Sequence, residues 1–184
     1  MEINPTQKKG LIILIIGVVM IAMILIAKVK NNIFNKKNVD NNTSSVQLED
    51  VKFDQNADYM KVVNAYISAL EHKDAEKYSS LFPSFIGVDT ESMSKQLDSL
   101  HTQYESKYGT NVKITYSVKE VKKLDNDSMK AIEENIKQNY QTFTGSVDTI
   151  YRVEVHVKIS GDTNSEEDDE YILVGKIGNS WYIF

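Results

Sequence analysis

Residues 151–159 read Tyr-Arg-Val-Glu-Val-His-Val-Lys-Ile, with apolar side chains at every second position and Arg152, Glu154, His156 and Lys158 between them. That alternation has the period of a β-strand, whose successive side chains point to opposite faces. Val112, Ile114, Tyr116 and Val118 repeat it against Lys113, Thr115, Ser117 and Lys119. Tyr171 to Ile177 makes a third strand, and after a turn at Gly178-Asn179 a short fourth runs from Trp181 to Phe184. Strands that are apolar on one side and wet on the other belong to antiparallel sheets, so the pattern predicts helices on one face alone.

Those helices come first in the chain. Tyr59, Val62, Val63, Tyr66, Ile67 and Leu70 recur at helical spacing, and a shorter helix from Asp74 to Leu81 stops at Phe82-Pro83, because proline disfavours helix in the residue before it. Asp89 is a good N-cap for a third, with Met93, Leu97, Leu100 and Tyr104 on one stripe and Gly109 at its C-terminal end. Between the first two strands, Asp127 could cap a helix carrying Met129, Ile132, Ile136 and Tyr140. The fold class is α+β, with the N-terminal helices packed on one face of an antiparallel sheet.

Upstream, the composition changes. Leu11 to Ala27 holds no charged or hydrogen-bonding side chain over 17 residues, a run that as a helix covers about 25 Å. Lys8 and Lys9 on one side and Lys28 and Lys30 on the other can extend their ammonium groups to the headgroups and make up the shortfall. The run is too long for the apolar part of a cleaved signal peptide, and its exit at Leu25-Ile26-Ala27 is a poor cleavage site. Residues 1–10 are then an N-terminal tail, 11–27 a transmembrane helix in contact with the lipid bilayer, 28–53 a flexible stalk rich in Asn and Lys, and 54–184 the folded domain.

Charge narrows the partners. Residues 1–53 carry seven Lys against four acids, whereas residues 54–184 carry 14 basic residues against 22 acids. A domain with a net charge of −8 does not grip phosphate backbones, which excludes nucleic acid as a partner. The chain has no cysteine, which excludes a disulfide scaffold, an iron–sulfur cluster, a thiol nucleophile and a lipid-modified N-terminal cysteine. Lysine outnumbers arginine 20 to one, a bias of AT-rich bacterial genomes.

Chemistry-bearing residues are sparse. His72, His101 and His156 each lack a second ligand at metal spacing, and of the three only His101, next to Leu100 and Tyr104, approaches the interior. Glu166 to Glu170 form a five-residue acidic run that lacks the pattern of a calcium loop and reads as a solvated hairpin tip. No inward carboxylate falls on a strand, since Glu154 and Asp148 lie on or near the polar register. No phosphate loop, serine elbow or paired carboxylate site is present, so no catalytic residue, cofactor or metal is expected. Ten tyrosines are many for this length, and Tyr66, His101, Tyr104, Tyr116, Tyr151 and Trp181 are the candidates to line a cavity. Packing is the simpler role for most of them, and Trp181 is expected to close one end of the core.

The opening VVNAYISALEHKDAEKYSSLFP, the step at Lys73-Asp74-Ala75 and the closing VGKIGNSWYIF resemble the nuclear transport factor two-like superfamily. The resemblance is narrowest to its small membrane-tethered envelope members, and its motifs frame residues 57–184. It implies a strongly curved, cone-like sheet with a pocket that some members use for catalysis and others for binding or dimerisation. A helix at residues 127–141 departs from the simple hairpin of compact members.

The lysine count, two before the span and four after it, taken alone would leave the C-terminal domain in the cytoplasm. The resemblance and the Asn-rich stalk point the other way. The expectation is a non-enzymatic, single-pass binding or scaffold domain of the bacterial envelope, outside the cytoplasm, with a protein partner or self-association. A type IV secretion or conjugation assembly subunit and a small cone-pocket enzyme or ligand-binding protein are the alternatives.

Overall fold

A computed structural model describes residues 48–184. The expected tail at residues 1–10, the span at 11–27 and the stalk up to residue 47 lie outside the described residues, within which no helix is long and apolar enough to cross a membrane. The elements run β1 (Leu48–Asp50), α1 (Asp58–His72), α2 (Ala75–Ser80), α3 (Thr90–Tyr108), β2 (Lys113–Leu124), α4 (Asn126–Asn139), β3 (Thr149–Ser160), β4 (Ser165–Ile177) and β5 (Ser180–Ile183). The class is α+β. All five strands form one antiparallel meander in the order β1-β2-β3-β4-β5.

Local chemistry sets the helix ends. α1 stops where Lys73 takes a left-handed conformation, φ 56°, and returns its N–H to the Ala69 carbonyl. Asp74 then accepts from the Lys77 N–H and starts α2. Asp89 does the same for α3 through Ser92, and Gly109 ends that helix at φ 88°, a conformation that favours glycine. The α4 cap is Asp125, accepting from Ser128 at 2.7 Å, rather than Asp127. The stripe on α4 is as expected at Met129, Ile132 and Ile136, which are buried.

α1 lies along the inside of the sheet, touching β2 on one side and β4 and β5 on the other. A sheet that reaches one helix from both flanks is curved, as the right-handed twist of strands allows. The main core fills that space. Val63, Tyr66, Ile67 and Leu70 of α1, Leu97, Leu100 and Tyr104 of α3, and Val153, Val155, Val157 and Ile159 of β3 are all buried in it.

The structure corrects the expectation that one face stays free of helices. α4 packs on the opposite face, where Met129, Ile132 and Ile136 cover Leu124, Ile150, Leu173 and Phe184 to form a second core. The reason is legible in β4: Ile172, Leu173 and Val174 are apolar in succession and buried on both faces. Phe85, from the segment joining α2 to α3, reaches this core and packs on Phe143 at 4.8 Å.

Two boundaries also move. Leu48 to Asp50, inside the expected stalk, pair with Leu124 to Lys122 as β1. The acidic run is no hairpin tip: Glu166 to Glu170 pair residue for residue with Ile159 to Val155, and the turn is Gly161 to Asn164. β2 continues to Leu124 because a bulge at Lys119, between Val118 and Glu120, shifts its register and restores Val121 to the inner face.

Candidate functional site

Register decides which acids face inward. In an antiparallel pair, directly opposed residues share a face. Glu166, Asp168 and Glu170 oppose Ile159, Val157 and Val155, which are inner-face core residues. The three acids therefore lie on the helix-facing side and are half-buried, while Glu167 and Asp169 between them are exposed. The expectation that no carboxylate on a strand points inward is overturned. Five consecutive acids carry no hydrophobic period of their own and look like a solvated tip; parity counted back from Ile172 and Val174 along one unbroken strand finds all three.

Helix side chains meet these acids from below. At the end of α3, Tyr108 donates its hydroxyl to Glu166 at 2.8 Å, and the Lys107 ammonium pairs with the same carboxylate. Burial works against the Lys107 charge, but Glu166 and Tyr108 together outweigh it and hold the ammonium above its ordinary value. Burial and the bond to Glu166 raise Tyr108. Further along, Tyr66 of α1 and Tyr78 of α2 pack with ring centroids 5.4 Å apart, and Tyr78 lies 5.3 Å from Phe82. Burial pushes Tyr66 up to about 12; the neighbouring Tyr78 hydroxyl opposes that shift and the Glu170 carboxylate adds to it. Burial also raises Tyr78 and Tyr104, each with a smaller push from Tyr66. These phenols stay protonated at neutral pH, so each hydroxyl can donate as well as accept a hydrogen bond. The Tyr104 hydroxyl is buried without a hydrogen-bond partner among the described residues.

His101 belongs to this region, as expected, but as a packing residue. It is 6% exposed, and its Nε2–H donates to the Leu70 carbonyl at 2.7 Å, tying α3 to α1. A carbonyl can only accept, so the ring is held in that tautomer.

The six expected lining residues do not form one site. Tyr66, His101 and Tyr104 are buried in the main core. Tyr116, on β2, is half-buried and donates to Asn64 at 2.5 Å. Tyr151 and Trp181 stack at 5.6 Å and 17°, and Tyr59 packs on Tyr151 at 4.7 Å. Tyr59 precedes Tyr66 by two helical turns, about 10 Å along α1. Trp181 closes this end of the core but is only half-buried, so it does not reach the full burial that would make it the dominant anchor.

The outer face is an ion-pair ladder. Asp169 accepts from His156 Nδ1 at 2.8 Å and from the Lys119 ammonium at 2.6 Å, and these two bonds hold its carboxyl below the usual carboxylate range. Arg152 donates to Glu120 at 2.8 Å. Partial burial of Glu120 opposes its charge, but Lys122 and Arg152 outweigh it and lower its pKa. Ser117, His156 and Asp169 share one row across three strands. They make no nucleophilic triad, because the remaining ring nitrogen of His156 faces Glu167, at 3.8 Å, on the far side from Ser117. Among the described residues no group of three His, Asp or Glu is placed to hold a metal ion.

The inner face thus offers protonated phenols and half-buried carboxylates beside a buried core, and the outer face offers charges in water, several of them paired. Neither arrangement has a counterpart to lean on: no family model matches the chain, and no curated protein and no solved structure matches it either.

Proposed function

We propose that this chain is a single-pass, membrane-tethered binding or scaffold protein of the bacterial envelope, non-enzymatic, with its α+β domain outside the cytoplasm. The observation that carries the reading is the uncharged run of 17 residues from Leu11 to Ala27, bounded by lysines on both sides and followed by a polar stretch. The domain itself needs no lipid: its apolar side chains are inside, and Phe53 is the one large apolar side chain exposed among the described residues. A scaffold reading fits a core with buried aromatic rings and an outer face on which Lys119, Glu120, Arg152, Glu154 and Asp169 are paired. Protease added to intact protoplasts tests it. Digestion of the domain supports the outward placement, and full protection until lysis puts it in the cytoplasm.

A second reading, a small ligand-binding or catalytic cone, is favoured by one feature: Glu170 beside the protonated Tyr66, with the unpartnered Tyr104 hydroxyl on the same side of the sheet. A carboxylate next to phenol donors can take a proton from a bound molecule while the donors hold the charge that develops. A small molecule that co-purifies with the native chain and is lost from Glu170→Gln would favour the cone. Native chain that co-purifies with no small molecule keeps the scaffold reading.

A further inference from the structure

We propose that β1 is a strap that opens while the rest of the domain stays folded, uncovering the end of β2, and that tension on the segment before Leu48 favours the open form. The first part stands on the fold; the tension part rests on the tethered reading above.

β1 has three residues, of which Glu49 and Asp50 are exposed and Leu48 is half-buried. It pairs with β2 alone, at the outer edge of the sheet. Its attachments are the contact of Leu48 with the second core, that of the half-buried Val51 just after it with the main core, and a few backbone bonds, including Val51 N–H to the Val121 carbonyl at 3.1 Å. Elements with few buried contacts and short ladders open locally at a small fraction of the global free energy. β2, by contrast, is held along its other side by β3 from Lys113 to Lys123. Opening of β1 therefore leaves β2 in place and frees the edge from Val121 to Leu124, together with the outer-face site that Leu48 fills over Leu124. Residue 47 and those before it join the domain at Leu48, the first residue of the strap, so a pull from that side loads these few bonds before any helix or central strand.

The register supplies a lock. Bonded and non-bonded pairs alternate along an antiparallel ladder. Val51 bonds to Val121, so Glu49 and Lys123, two residues on in each strand, form the next bonded pair. Asp50 and Lys122 between them form a non-bonded pair, whose Cα atoms at about 4.5 Å and closer side chains suit a disulfide. The chain has no cysteine of its own, so Asp50→Cys with Lys122→Cys introduces the two thiols without competitors.

Hydrogen exchange on the full chain in detergent micelles tests the strap. The Glu49, Val51 and Lys123 amides should exchange at least about 100-fold faster than those of Val153 and Val155. Oxidising the double-cysteine variant should slow them by about tenfold or more without changing Val153 and Val155, whose unchanged protection shows that the variant is folded. Exchange of the three amides at the rate of the central strand overturns the proposal, as does fast exchange that the closed disulfide leaves untouched, or a folded variant whose thiols never pair. The tension part is read by pulling the chain from its N-terminal end: release of a few residues at a force below global unfolding, abolished by the disulfide, is expected, and a single all-or-none event overturns it. Both measurements are independent of where the domain sits in the cell, so a failure of the tethered reading in protoplasts is distinguishable from a failure of the strap.

Discussion

The two halves of β4 are neighbours in one strand and are held by different physics. From Ile172 to Gly175 every residue is buried: Ile172 and Val174 enter the core under α1, Leu173 enters the core under α4, and β5 pairs along the edge from Val174 onward. From Ser165 to Glu170 the strand has β3 on one side, helix side chains on its inner face and water on its outer face. Its anchors there are polar, namely Lys107 and Tyr108 on Glu166, and Lys119 and His156 on Asp169. The apolar half should dominate stability, and the acidic half should set how stability responds to pH.

The largest expected effect is in the apolar half. Leu173 is 5% exposed, in the small second core. Leu173→Ala should destabilise the domain by about 2–5 kcal/mol, since a cavity adds to the lost transfer energy. Glu167→Ala, on the wet face of the same strand, should stay within about 0.5 kcal/mol. Urea unfolding followed by circular dichroism measures both, and equal losses would abolish the distinction between the halves.

That contrast also explains what the sequence could convey. Alternation at Tyr151 to Ile159 reports burial on one face directly, and the α1 stripe and the Asp89 cap report their helix just as directly. In β4 two environments follow each other without a glycine or proline between them, and five consecutive acids carry no hydrophobic period, so the strand is legible only from Tyr171 on. The second core was hidden for the same reason: Ile150, Leu173 and Phe184 occupy positions that a one-faced sheet would leave wet, and nothing local to them names α4 as their cover. Of the candidate site, Tyr66 and Tyr104 were legible from helical spacing, whereas Glu170 became visible only with the register that pairs it with Val155.

The next effect appears in alkali. Tyr66 has a folded pKa of about 12 against an ordinary value of 10, with burial as the first cause. A raised value means that the folded state keeps its proton where the unfolded state has lost it, so this contribution is complete below about pH 10 and is lost as pH rises towards 12. Two pH units correspond to about 2.7 kcal/mol from this residue, and Tyr78 and Tyr104 shift in the same direction. Phenolate absorbance should therefore rise cooperatively with loss of the far-ultraviolet signal between about pH 10 and 12. Independent ionisation of all ten tyrosines near 10 without unfolding would show that the ring cluster is open to water.

The acidic half also depends on how its leading turn is pinned. Gly161 lies against the end of α3, where an added Cβ would stand 2.5 Å from the Tyr108 carbonyl oxygen and 3.0 Å from that of Gly109. Both atoms are backbone, so Gly161→Ala must lift the turn away from Thr110 and Asn111, which donate to Asp162. Overpacking of this kind costs about 1–3 kcal/mol. Weakened protection should spread from Gly161 towards Glu166 and spare Leu173, which amide exchange resolves; a uniform loss would make β4 a single cooperative unit.

The smallest effect isolates the ladder charge. Asp169 is exposed, and its bonds to Lys119 and then His156 lower its folded pKa below the ordinary 3.8. A lowered carboxylate stabilises the fold above the unfolded pKa, and the contribution fades as pH falls through the folded value. Asp169→Asn removes that charge and keeps the shape of the side chain. Its Tm should lie slightly below that of the native chain at pH 7, and the difference should close as pH falls below the ordinary 3.8 and through the lower folded value, where the native carboxylate takes up its proton. The direction of that closure distinguishes charge from packing. If the two melting curves stay separated by the same amount even where the folded carboxylate is protonated, Asp169 acts through its hydrogen-bond geometry with Lys119 and His156, and the acidic half of β4 is held by shape as the apolar half is.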